Sequence, residues 1–140
     1  RLGEVCHNMG DPHFLRICLL GHSFMTRLGR YMDSHPDLYN LSLLEDRYSV
    51  CVRARGGLRI SRLACDRDLL SFDVSPDICF IQIGENDVLS FSVEVILRDI
   101  LALASYIHSG GTRVIIGQLL RRQPWASSLY FNERIIAINV

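Results

Sequence analysis

Lysine is absent from this chain: all 15 basic residues are arginines. That excludes a phosphate-binding loop ending in Gly-Lys-Ser/Thr and any chemistry run through a lysine Schiff base. Net charge is absent too, because 15 acidic residues balance the arginines. No global field then steers the protein toward nucleic acid or an anionic membrane. No apolar run approaches the ~20 residues of a membrane-spanning helix. The opening "RLGEVCHNMGDPHF" is too polar for a secretory signal. Cys-x-x-Cys pairs are missing, and the five cysteines (Cys6, Cys18, Cys51, Cys65 and Cys79) are odd in number. Cys18, Cys51 and Cys79 fall inside apolar runs, where a free thiol behaves as a small hydrophobe. They are expected to be reduced core residues of an intracellular, cytoplasmic protein. No metal and no cofactor is expected.

What is present suits one domain over residues 1–140, with 49% hydrophobic and 21% charged residues. A chain this long buries roughly 68% of the surface its unfolded form exposes, enough to need no staple. Residues 1–13 read as an irregular lead-in. "FLRICLL" (14–20) is a short continuous apolar run ending at Gly21, the pattern of a buried strand. "SFMTRLGRYMDSH" (23–35) has helical spacing through Phe24, Leu28 and Tyr31 or Met32, with Ser23 where an N-cap belongs and Pro36 to close it. Strands are expected at 48–54, 77–83 and 113–120, and helices at 58–70, 93–109 and 127–140. This strict β-α alternation with apolar strands predicts a parallel sheet covered by helices on both faces.

Ligands of open α/β sheets bind at the carboxyl ends of the strands. Those ends are Gly21-His22-Ser23, Arg55-Gly56-Gly57, Gly84-Glu85-Asn86-Asp87 and the region of Gln118-Leu119-Leu120. Acyl transfer needs an exposed hydroxyl near a helix N-terminus and N–H donors aimed at the developing oxyanion. Ser23, Gly57 and Asn86 supply such parts, one from each of three strand ends.

The stretches "LLGHSF", "ARGG" and "IQIGENDV" resemble blocks I, II and III of the SGNH hydrolases, the GDSL-type esterases and lipases. The likeness covers roughly residues 15–140. The "GHSF", "GENDV" and "YNERI" stretches also resemble esterase-like domains of animal retroelement proteins. The resemblance implies a flavodoxin-like three-layer α/β/α sandwich with strand order 2-1-3-4, followed by a fifth strand not seen in this sequence. It implies Ser23 as nucleophile, and Ser23, Gly57 (or Gly56) and Asn86 as the oxyanion hole. The substrate implied is a small-molecule ester. Two departures stand out. His22 occupies the place of the family's aspartate after the block I glycine, and the late Asp-x-x-His block is absent, so the domain reads as truncated.

His22 is then either an alternative base for Ser23 or a loop residue, since neighbours on an extended chain point to opposite sides. His7 and His13 precede the first strand. His35 and His108 stand at the far ends of helices. Asp87 reads as a structural turn residue and Glu85 as one facing solvent or the pocket rim. Arg55 and Arg59 could contact an anion, although Asp66 and Asp68 dilute the charge. Two functions follow. One is a serine esterase, weak or inactive without its histidine block. The other is a non-catalytic binding domain on an esterase scaffold, for an anionic ligand. An uncovered strand 113–120 would favour self-association.

Overall fold

The structure is a computed structural model that describes residues 14–122 and 129–139. The lead-in over 1–13, with His7 and His13, lies outside the described residues. Four strands and five helices follow in the order β1 (Leu15–Gly21), α1 (Ser23–Ser34), β2 (Tyr48–Ala54), α2 (Ile60–Ala64), α3 (Arg67–Leu70), β3 (Ile78–Gln82), α4 (Val93–Ser109), β4 (Arg113–Ile116) and α5 (Leu129–Asn139). A 3-10 segment, Pro36–Ser42, joins α1 to β2.

The sheet order is β2-β1-β3-β4 and every pairing is parallel. Successive strand residues face opposite sides, so β1 feeds two cores. Cys18 and Leu20 join Cys79 and Ile81 beneath α2 to α5, with Ile60, Leu63, Ile96, Ile100, Phe131 and Ile135. Ile17 and Leu19 join Val50, Val52 and Phe80 against Met25 and Met32 of α1. This is the three-layer α/β/α sandwich with strand order 2-1-3-4.

Three expectations are corrected. Helix 58–70 is two helices, because Cys65 and Asp66 break it and the Asp66 side chain accepts from Leu69 N at 3.0 Å to start the second. Strand 113–120 ends at Ile116. Beyond Gly117 the backbone bonds to side chains instead of the β3 backbone: the Gln82 amide donates to Gln118 O (3.0 Å), and Asn139 brackets both Leu119 N (2.8 Å) and Leu119 O (2.9 Å). Cys51 is exposed, unlike buried Cys18 and Cys79, because it lies on the edge strand β2.

That β2 edge is guarded by Asn40. Its amide donates to Tyr48 O (3.0 Å) and accepts from Val50 N (2.9 Å), as a neighbouring strand would. Asn40, Leu41 and Ser42 hold left-handed backbone, with φ of 54°, 53° and 59°. Asparagine is among the residues that tolerate this region.

Candidate active site

The carboxyl ends of β1, β2 and β3 meet at one edge. Gly21 makes this possible. A Cβ there would lie 2.1 Å from the backbone oxygen of Gln82, so only glycine lets β1 run this close to β3 as it turns. His22 N then donates to Gln82 O (3.3 Å), and Arg55 N donates to Gly21 O (3.1 Å).

The N-cap of α1 is His22, where the sequence pointed to Ser23. His22 Nδ1 accepts from Phe24 N at 3.4 Å. A nitrogen that accepts is unprotonated, so the proton sits on Nε2, which donates to Glu85 Oε2 at 2.6 Å. The imidazole is 2% exposed, and both of its nitrogens are engaged away from the Ser23 hydroxyl. This corrects His22 as an alternative base: it is a cap and a brace between β1 and the loop after β3.

Glu85 is buried, which corrects the expectation of a solvent or rim position. It takes three donors: His22 Nε2, Gln82 Nε2 (2.5 Å to Oε1) and Leu120 N (3.1 Å to Oε1). Burial alone raises a carboxyl pKa, but here the hydrogen bonds from His22 and Leu120 outweigh it, and Glu85 is held below its ordinary value.

Ser23 is the first residue of α1 and is half-buried. Among the described residues none hydrogen-bonds its hydroxyl. The helix start favours an anion forming there. Gly57 lies in the turn after β2 with φ of 71°, a conformation suited to glycine. Asn86 Nδ2 donates to Leu58 O at 2.9 Å. The asparagine of one strand end is thereby tied to the residue after Gly57, and among the described residues nothing takes its second amide hydrogen.

Asp87 is structural, as its sequence position suggested. It is buried, and its Oδ2 accepts from Ile60 N at 3.2 Å. Burial pushes its carboxyl above the ordinary value, with Ile60 N–H and Arg59 only partly offsetting. Arg134 of α5 escaped sequence reasoning. Its guanidinium donates to Val88 O (2.5 Å) and to Phe91 O, pinning the loop that carries Asn86. An isolated arginine on a helix gives no sequence signal of this.

The two arginines proposed for anions are otherwise engaged. Arg55 pairs with Asp66 Oδ2 at 2.5 Å, and Arg59 donates to Ser90 Oγ at 3.2 Å beside Phe91. His35 and His108 bond backbone carbonyls at their helix ends, Tyr31 O and Thr112 O, both at 2.9 Å. A cleft of about 230 Å³, lined by Leu70, Phe72, Tyr106 and Thr112, opens at the amino edge of the sheet and does not include Ser23, Gly57 or Asn86. No helix among the described residues is long and apolar enough to cross a membrane.

No family model matches the chain, and no curated protein matches it in sequence. Solved structures do match it in fold. An acetyl xylan esterase is 15% identical with a TM-score of 0.70, over 89% of this chain and 70% of that one. A GDSL-like lipase from Bacteroides thetaiotaomicron is 18% identical, TM-score 0.67, over 89% and 60%. A member of the lipolytic protein G-D-S-L family from Veillonella parvula is 16% identical, TM-score 0.65, over 89% and 68%. The chain thus spans between 60% and 70% of the length of these structures. It has the α/β fold of the GDSL-type hydrolases. The narrower retroelement likeness finds no counterpart in these three structures.

Proposed function

From that fold, we propose that the protein is a serine ester hydrolase of the SGNH type, or the scaffold of one, acting on small-molecule esters. Ser23 Oγ attacks the ester carbonyl. The backbone N–H groups of Ser23 and Gly57 and the Asn86 amide stabilise the oxyanion. The alcohol departs, and water releases the acyl group from Ser23. The observation that carries the reading is the Asn86–Leu58 hydrogen bond, which joins two of the three donor segments. A hydroxyl at the start of α1 that no described residue hydrogen-bonds agrees with it.

His22 has both ring nitrogens engaged, and His35 and His108 each hold a backbone carbonyl through Nδ1 at the far ends of their helices, which speaks against all three as the base. The resemblance assigns that role to an Asp-x-x-His block after the last helix. Assayed without such a block, these 140 residues are expected to be slow. Triads that lose a member keep ~10³–10⁴ over water from the oxyanion hole and binding. Hydrolysis of a short-chain chromogenic ester tests this. Asn86→Ala should lower the residual rate by ~10²–10³, whereas Ser23→Ala should remove only the part that passes through an acyl-enzyme. A rate unchanged by Asn86→Ala, with both proteins folded, would sink the proposal. The alternative of an anion-binding domain is weakened by the pairing of Arg55 with Asp66.

A further inference from the structure

Three thiols stand in a row across the sheet. Cys18 is in register with Cys51 of β2 on one side and with Cys79 of β3 on the other. Residues in register on parallel strands project from the same face. Adjacent strands run about 4.8 Å apart, within the 4.4–6.8 Å that a disulfide spans between Cα atoms.

The three differ in access and charge. Cys18 and Cys79 are 0% exposed, whereas Cys51 lies open on the edge strand. Arg53 follows two residues later on β2, so it shares the face of Cys51. Its guanidinium is fixed by Asp68 O and Leu69 O (3.3 Å each), by Ser71 O (2.6 Å), and by the Phe72 ring at 4.4 Å. A reactive cysteine needs an exposed, electropositive setting with a second thiol in reach. Cys51 has all three features.

We propose that Cys51 is a peroxide-reactive thiol and that Cys18 resolves it into a cross-strand Cys18–Cys51 disulfide. The Cys51 thiolate attacks the O–O bond of a hydroperoxide. An S–O bond forms, the O–O bond breaks, and the alkoxide or hydroxide leaves and takes up a proton. Cys51 is now a sulfenic acid. The Cys18 sulfur attacks it, the S–S bond forms, the S–O bond breaks, and hydroxide leaves with the Cys18 proton as water. Two thiols give up two electrons, and the peroxide accepts them.

The neighbouring Cys18 thiol, with help from Arg53 and against the cost of partial desolvation, lowers Cys51 to about 7. Its two neighbours, with burial, push Cys18 up. Cys18 lowers Cys79 as well, so access separates the two: Cys79 meets no solvent, and oxidant arrives first at Cys51.

The test uses protein carrying Cys6→Ser and Cys65→Ser, which leaves only the row. It is treated with hydrogen peroxide, alkylated, and mapped without reduction by mass spectrometry. The expected product has lost two of its three thiols and contains a Cys18–Cys51 peptide pair. In Cys18→Ala, dimedone should label Cys51 as a sulfenic acid. If that variant does not fold, the peptide map of the parent decides alone. A Cys51 that stays fully alkylatable, a Cys18–Cys79 pair, or an intermolecular Cys51–Cys51 pair as the main product would overturn the proposal. Arg53→Gln should slow peroxide consumption several-fold; an unchanged rate removes Arg53 from the mechanism.

Discussion

A buried carboxylate with three donors favours its ionised form, and Glu85 is that residue. Its folded value lies below the ordinary 4.5. Its contribution to stability is therefore present above about pH 4.5 and is lost as pH falls through the lower folded value. Asp87 tilts the other way. Its raised value means the fold favours its neutral form, so its contribution grows as pH falls through the window above 3.8. We expect Glu85→Gln to cost ~1–3 kcal/mol at pH 7, because an amide group then confronts a donor. Urea melts at pH 7 and pH 3.5 check this, and the gap between variant and wild type should narrow in acid. The sequence marked Gly21-His22-Ser23 as the place to look, because topology sends strand ends to one edge. It did not reveal the His22–Glu85 brace. "GEND" has the composition of a solvated turn, and its partner lies 63 positions away. Reading His22 as the cap in place of Ser23 required the ring's orientation, which no spacing rule gives.

Elements were legible wherever apolar periodicity was uninterrupted. Helix α4 runs over the residues its pattern predicts, 93–109, capped by Ser92 and stopped at Gly110. The pattern failed where side chains take over backbone duties. "RVIIGQLL" reads as a strand to its end, yet its last three residues bond to glutamine, glutamate and asparagine side chains. Helix α5 supplies the asparagine, and a second one that holds the chain just beyond. Asn132 and Asn139 are seven residues apart, two turns or about 10.5 Å. Asn132 brackets Arg122 N (2.9 Å) and Arg122 O (3.0 Å), as Asn139 brackets Leu119. Three extended residues cover about 10 Å, so the two asparagines read the segment in register. Removing the two bonds of Asn139 by Asn139→Ala should cost ~1–3 kcal/mol. Amide hydrogen exchange should speed at Leu119 while the β1–β3 ladder stays protected. Equal protection at Leu119 in both proteins would show the clamp to be idle.

For the whole molecule, β-α alternation was enough to give the layers and the parallel sheet, while the strand order came from the family resemblance. The proposed site was legible as a location, because Ser23, Gly57 and Asn86 each follow a strand. Its base was not, since no described histidine hydrogen-bonds Ser23. Self-association also belongs to this scale. Strand β4 is an edge among the described residues, with Ile115 at 43% and Ile116 at 40% exposure. An uncovered apolar edge pairs with other chains. Light scattering should show mass rising with concentration, and Ile115→Lys should reduce it. A monomer at every concentration would count against the edge as an interface. The two margins of the sheet are not equivalent. At β2 the Asn40 amide already occupies Tyr48 O and Val50 N, so a strand arriving there meets a blocked start. Among the described residues no side chain brackets β4 in that way. The sheet is therefore biased to grow beside β4, on the flank where the Leu120 amide meets Glu85.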